Sequence, residues 1–574
     1  MSLYGSLEIG KKSLTASQQG QSTAGHNIAN VDTEGYSRQQ VTQAASRPTD
    51  EGRGMGVDVT GVRRIQDTFT KNKIIEEKNR VGTWQTKENV LTRTELIYTD
   101  LEGSRLRGAM DEFWDAWGGV TNEPESVPLR KALVSKSESL VRNFRMVDKR
   151  LTEMRVDLNK RIAAELEEAN QFCREIAELN KQIDHLEHRG FPANDGRDKR
   201  DDLIQKLSEM IEIKWFENPN GILEVQLANG QNLVHGREVY RLLAHKSEKR
   251  PEDIGIGLFI PPGIETDVTE IVRSGAIKEY VNQRDGNIRQ FRENLNMLVA
   301  EIASRVNRIH SSGTGIDGAK KSETGAVRFD ADELDMAIPM LQSGAMEIKI
   351  LDDDNQIEET LQIEIEAGTD TPRTVAKKIN RAADAYEKDG EGNESLKENN
   401  KLLAKIEEDG SLSIRSGMGK KFIYGQDATN ALAMLGLNCF FHFEDGASDI
   451  RVNPELVQNE MKIAAGSDLV PGDNRIAMQI TELATHPTMA EGTISFYDFY
   501  DRQITDIGLK VQDAQKGHDS HNQMLEQYEA LRDSVSAVNL DEEMTNMVKY
   551  QRAYESSAKF LSTIDEMTET VINM

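Results

Sequence analysis

Proline is the residue a helix interior tolerates least, at a cost of about 3 kcal/mol. Its placement divides this chain before any other feature is considered. Of 13 prolines in 574 residues, none lies in 1–47, 129–191 or 488–574. Those stretches also carry apolar residues at helical spacing. Leu3, Leu7, Gly10, Leu14, Ser17, Gln21, Ala24 and Ile28 alternate at four and three, which places them on one helix face. That face is narrow, rich in small residues and too weakly apolar to bury itself alone. A second stripe closes the chain: Leu540, Met544, Met547, Gln551, Tyr554, Ala558, Leu561, Ile564 and Val571, with Asp541, Glu542 and Glu543 in the first turn, where carboxylates suit the helix dipole. Long helices are also predicted through Leu151, Met154, Leu158, Ile162, Ala169, Cys173, Ile176 and Ile183, and through Ile494, Tyr497, Ile504, Ile507, Val511, Ala514, Leu525, Tyr528 and Leu531.

The proline-containing middle reads as strands. IKWF, ILEVQL and QNLV in 213–243 are separated by Asn220-Gly221 and Asn229-Gly230, both hairpin-turn signals. A second β-rich block runs from about 344 to 443. It has a predicted helix at 373–387 and a loop-like polar stretch, EKDGEGNESLKENNK. A block of this kind, bounded by helical regions, reads as an inserted domain. The fold class expected is multidomain α+β. It comprises a discontinuous terminal helical coiled-coil domain (1–71 plus 530–574), a long helical-bundle domain (72–212, 275–330 and 475–529), a small β region (213–274) and a β-rich outer, inserted domain (331–474). Length alone, at roughly 150 residues per domain, gives about three or four.

The net charge is −27, and the two ends account for little of it: residues 1–71 sum to +1 and 534–574 to −4. Near-neutral, striped ends suit self-association; an acidic middle suits a solvated outer face. A chain this acidic is a poor ligand for a phosphate backbone or an anionic membrane, so neither nucleic acid nor membrane is an expected partner. Two cysteines, Cys173 and Cys439, cannot make a disulfide framework or a four-thiolate zinc site. No apolar run approaches the roughly 20 residues of a membrane span. The opening MSLYGSLEIGKK lacks the basic and apolar blocks of a secretory signal, so export without a cleaved signal peptide is expected.

Motifs for chemistry fail on context. Gly313-x-Gly315-x-x-Gly318 matches a dinucleotide fingerprint as a string, but a helix-like segment precedes it where a strand is required, and Ala319 stands where a P-loop lysine belongs. Asp352-Asp353-Asp354-Asn355 lacks the glycine and glutamate of a calcium loop. The pairs His185/His188 and His518/His521 want a third ligand and a supporting shell. No catalytic, metal or cofactor site is expected.

The informative segments are the ends. AGHNIANVDTEGYSRQQV (24–41), with Asn27, Ile28, Ala29, Asn30, Thr33, Gly35 and Tyr36, resembles the signature shared by flagellar rod, hook and hook-associated proteins. It reads as a helix end, with Asn30 able to take a left-handed terminal conformation and Gly35 allowing a tight turn. Glu34 stands where proline often precedes that glycine. GMGVDVTGVRRIQDTFTKNKI (54–74) and the helix-then-β segment 196–236 are similar to the hook–filament junction branch of that family. So are Asn307, His310 and Gly313 in an N-x-x-H-x-x-G pattern, and 536–574 with Asn539, Leu540, Glu542, Glu543, Tyr550, Gln551, Ala553, Tyr554, Ala558 and Asp565.

The resemblance implies a structural protein, not an enzyme. It would form the junction between hook and filament, be required for filament assembly and leave the cell by flagellar type III export. Its expected place is extracellular, in the flagellum. The implied partners are further copies of itself, hook protein, the second junction protein on the flagellin side, and an export chaperone at the C-terminus. The implied assembly interface is Leu3, Leu7, Leu14, Asn27, Ile28, Asn30, Gly35, Tyr36, Asn539, Leu540, Met544, Met547, Tyr550, Gln551, Tyr554, Ala558, Leu561, Ile564 and Val571. The alternatives are a hook or distal-rod protein, which shares the terminal signatures but not the helical block at 87–212, and a peptidoglycan-cleaving enzyme, for which no motif is present.

Overall fold

The computed structural model describes residues 3–48, 54–99, 105–218, 221–247, 250–388, 394–396 and 400–572. The proline-free stretches are mostly helical, with a turn and strand at 30–45 and a non-helical lead-in at 488–495. The longest helix, Val127–His188, begins where Pro128 occupies its first turn. Every apolar residue of the 151–183 stripe is buried. Contacts divide the chain into two units. One comprises Met1–Leu91, Val156–Asp285 and Val511–Met574; the other comprises Thr92–Arg155 and Gly286–Lys510.

In the first unit, α1 (Leu3–Ala29) pairs with the C-terminal helix Leu540–Ile572. A two-stranded ribbon follows α1, β1 (Gln39–Ala45) against β2 (Val57–Arg64), antiparallel with a bulge after Thr42. Lys12 ties it to α1 through Asp58 at 2.9 Å. Helix α2 (Thr68–Thr99) then runs antiparallel to the segment 511–536. Here the Trp84 ring sits on Gly517, and Lys87 meets Asp513 at 2.9 Å.

Helix α3 (Arg105–Asn122) belongs to the second unit. The small β region packs on α4 (Val127–His188) and α5 (Asn194–Met210) around Ile162, Cys173, Leu207, Val225, Leu233 and Ile256. Two asparagines of α4 behave like strand backbone. Asn180 exchanges hydrogen bonds with both N–H and C=O of Leu223, and Asn170 does the same with Leu242. Each joins a strand to the helix without leaving a buried polar group unmatched. The Asn229-Gly230 turn forms as expected, with Gly230 at φ 88° and Leu227 N–H donating to Gln231 C=O. Gly221 takes φ 78°; Asn220 lies outside the described residues.

In the second unit, strands Gly344–Leu351, Ile357–Ile365 and Lys421–Asp427 make one three-stranded sheet, and Ser322–Thr324, Leu402–Ile406 and Leu412–Ser416 make another. Alternation decides the faces: Met346, Ile348, Ile350, Leu361, Ile363 and Ile365 point inward. The helix in this block is Pro372–Ala382, capped by Thr371, and shorter than the 373–387 expected. It stops because Asp384 turns left-handed (φ 49°) and Ala385 N–H bonds back to Asn380 C=O. The polar stretch that follows is not all loop. Tyr386–Lys388 pairs with Glu394–Leu396, and 389–393 and 397–399 lie outside the described residues. The late helix runs Phe496–Ser536, so Ile494 precedes it and instead bridges to Met489.

Candidate assembly site on the paired terminal helices

The pairing of α1 with the C-terminal helix is made by small residues. Gly10 faces Leu561, Ser13 Oγ lies 2.7 Å from Ser557 Oγ, Gly20 faces the Tyr550 ring, and Asn27 donates to Glu543 Oε2 at 3.0 Å. Residue numbers rise along one helix as they fall along the other, so the helices are antiparallel and held in one register. A Cβ on Gly10 would sit 2.6 Å from Leu561 Cδ2, and one on Gly20 2.5 Å from the Tyr550 ring. Only glycine permits this approach.

The buried face shares Gly10, Ser17 and Ala24 with the stripe expected and adds Ser13, Gly20 and Asn27. The face turned to the C-terminal helix is Gly10, Ser13, Ser17, Gly20, Ala24 and Asn27, spaced three and four but offset from the large residues Leu7, Leu14 and Ile28. A frame chosen by hydrophobicity follows the leucines, whereas close helix contact selects the smallest side chains.

At the end of α1 the signature closes a polar knot. Asn27 is fully buried. It donates to Gln39 C=O (2.9 Å) and Glu543, and accepts from Gln39 N–H (3.0 Å) and Tyr36 Oη (2.8 Å). Buried Glu543 also accepts from Arg38 Nε at 2.8 Å, and Arg38 forks onto Glu542 at 2.6 and 3.1 Å. Those bonds to Glu542 and Glu543 outweigh partial burial and raise the Arg38 guanidinium above its ordinary range. Burial, with Asp195, Asp198 and Glu543 nearby, likewise pushes the Tyr36 phenol up, so it stays a donor to Asn27.

Ser37 and Arg64 anchor the same loop to Asp198 of α5. Burial opposes the charge of Asp201 beside it, but Lys71 and Arg64 hold that carboxyl below its usual range. Gly35 takes φ 75° as the turn requires. Asn30 does not become left-handed. It stays with the helix end, its amide donating to His26 C=O at 2.9 Å and its carbonyl oxygen accepting from Thr33. Asn539 caps the C-terminal helix, accepting from Asp541 and Glu542 N–H.

The chemical motifs resolve into structure. Asp352 accepts from Asp354 and Gln356 N–H in a strand-to-strand turn. His518 and His521 pair with Glu88 and Glu77 of α2, and His188 with Asp184. Among the described residues no three His, Cys, Asp or Glu side chains converge as metal ligands, and no helix is long and apolar enough to cross a membrane.

Residues 91–325 match the model of the flagellar hook-associated protein FlgK helical domain, and 532–574 match that of the flagellar basal body rod FlgEFG protein C-terminal. The chain is 25% identical to flagellar hook-associated protein 1 of Salmonella typhimurium over 98% of both chains, and 25% identical to that of Escherichia coli over 98% of both. To that of Bacillus subtilis it is 24% identical over 100% of this chain and 98% of the relative. The chain is thus similar to flagellar hook-associated protein 1 over nearly its whole length. The fold agrees with the solved structure titled as the flagellar hook junction protein FlgK from Burkholderia pseudomallei. That match has a TM-score of 0.51 and 13% identity, over 81% of this chain and 100% of that one. This similarity supports a structural role in the flagellum, in assembly with other flagellar proteins.

Within this hook-associated fold the residues expected at the interface fall into two sets. Asn27, Tyr36, Tyr550, Leu561 and Ile564 lie in or beside the helix pair or its knot, and Leu14, Ile28, Met547 and Ala558 are half-buried. Leu7 (39% exposed), Leu540, Met544 (57%), Gln551, Tyr554 and Val571 (59%) face outward, as does the Gly35 turn. The side chain of Leu3 lies outside the described residues. Sequence reasoning missed Ser13, Gly20, Arg38 and Ser557. The signal for the first two was the three-four spacing of small residues from Gly10 to Asn27.

Proposed function

We propose that this chain forms the junction between hook and filament and is required for the filament to grow. The observation that carries the reading is the terminal pair itself. Its inner face is consumed by Gly10, Ser13, Gly20 and Asn27, while Leu7, Met544, Val571 and their neighbours stay exposed on its outer face. Of the 33 residues in the C-terminal helix only Glu543, Ser557 and Ile564 are buried. A helix so sparsely buried is marginal by itself and gains order from packing against other subunits.

On this reading 1–71 with 530–574 is the inner domain, 72–212 with 275–330 and 475–529 the surrounding helical domain, and 213–274 and 331–474 the outer β-rich parts. The exposed stripes meet further copies of this chain. Hook protein lies on one side and the second junction protein, toward flagellin, on the other. Before assembly the C-terminal stripe is held by an export chaperone. The match over 91–325 favours this role over hook or distal rod.

A strain lacking the gene is expected to make hooks without filaments and to shed flagellin, both restored by the intact gene. Full-length filaments in that strain would end the proposal. Two substitutions separate the faces. Leu561→Asp strikes the contact with Gly10 within the subunit, whereas Leu7→Asp strikes the outer face. Both are expected to abolish swarming, but only Leu561→Asp should raise amide exchange in α1 of the monomer.

A further inference from the structure

The N-x-x-H-x-x-G residues Asn307, His310 and Gly313 serve no part of the terminal pairing, yet they are buried at the end of the helix Arg289–His310. From there the chain enters the inserted β domain through 313–325 and returns through 436–441. Asn307 grips the returning strand, its Oδ1 accepting from Phe440 N–H (2.9 Å) and Phe441 N–H (2.8 Å) while its Nδ2 donates to Phe441 C=O (2.7 Å). Asn438 grips the outgoing segment at the helix end, donating to Gly313 C=O (2.9 Å), Ser311 C=O (3.2 Å) and His310 C=O (3.3 Å). A Cβ on Gly313 would sit 2.9 Å from Gly466 C=O, so only glycine fits there.

His310 lies between two backbone groups. Nε2 is 3.0 Å from Ala464 N–H, which can only donate, so Nε2 carries no proton. Nδ1 must then carry one and donate it to Asn438 C=O at 2.8 Å. The ring is packed by Trp117 and Phe440. The charged groups acting on it are cations, Lys320 ahead of strand Ser322–Thr324 and Arg130 on α4. Glu323, beside Lys320, accepts from Asn438 N–H. The imidazolium would turn a second N–H toward Ala464 N–H and gain no anion.

We propose that this knot is an acid-sensitive joint: neutral His310 fastens the returning segment at Asn438, and the segment at Ala464, to the helix Arg289–His310, and protonation of His310 unfastens them. Burial, with Lys320 and Arg130 nearby, brings His310 down from 6.5 to about 3. A histidine lowered on fastening contributes its stabilisation fully above 6.5 and loses it as pH falls toward 3. At pH 4.5, two units below the free value, the equilibrium constant for fastening falls about 100-fold relative to pH 7.5.

Amide exchange of the full-length chain, corrected for intrinsic rates, reads this directly. Protection of Phe440, Phe441 and Ala464 is expected to fall about tenfold per pH unit below 6.5, already between 6.5 and 5, above the carboxylate range, while 170–180 in the other unit holds. His310→Gln keeps an acceptor and a donor but no titration, and should abolish the slope. A flat profile in the parent, or the same slope in His310→Gln, would overturn the proposal. Should the variant not fold, the parent profile alone decides.

Discussion

Asn27→Ala is expected to abolish swarming and to loosen both ends of the chain. Its amide satisfies Gln39 N–H and C=O, Tyr36 Oη and Glu543 Oε2 at once. Alanine leaves those groups with nothing in a buried site, at about 1–3 kcal/mol each where water cannot enter. Arg38 still pairs with Glu543, so the expected total is about 3–6 kcal/mol rather than the full sum. Exchange protection should drop over 5–29 and 540–570, while the inserted domain at 344–437 is unchanged. Wild-type swarming together with unchanged exchange would show that the knot is incidental to assembly.

The second large effect is Gly20→Val. Its Cβ alone would stand 2.5 Å from the Tyr550 ring, well inside a carbon–carbon contact of roughly 3.5–4.0 Å, so the two helices must separate. Both are rigid over this span, and separation at Gly20 also lengthens the Ser13–Ser557 and Asn27–Glu543 bonds on either side. Overpacking of this kind costs about 1–3 kcal/mol before those losses are added. Loss of swarming is expected, with partial recovery in the double variant Gly20→Val, Tyr550→Ala, which vacates the space. If Tyr550→Ala gives no recovery, the contact between the two residues is not what fixes the register.

These two sites show what local reading of a sequence reaches. The long helices were legible because proline is absent and apolar residues recur. The Asn229-Gly230 turn was legible because Gly230 must reach φ 88°. The inserted sheets followed from alternation at 346–350 and 361–365. The face of α1 was not legible in the same way. Its partner is the far end of the chain, so nothing nearby says that Gly20 rather than Leu14 or Gln21 lies at the contact. Asn30 was misread for a related reason: an asparagine at a helix end suits a left-handed turn, but here its side chain serves the helix carbonyl of His26 and Gly35 supplies the turn. Arg38 stood outside every stripe, and its role depends on two carboxylates that only folding brings near.

The Ser13–Ser557 contact spans 544 positions. Closing a loop of that length in an unstructured chain costs roughly 5–6 kcal/mol of entropy before any constant term. The contacts between α1 and the C-terminal helix are extensive, but they are made only once the two ends have met. The closure becomes affordable only after the intervening segments have folded and brought Ser37, Arg64 and Lys71 beside α5, leaving a short gap to bridge. For a chain that emerges at its destination one end first, this sets an order of events. The first helix to arrive is among the last to find its place, and it waits unpaired until the final 30 or so residues have come through. A truncated chain therefore leaves α1 without the helix it packs on.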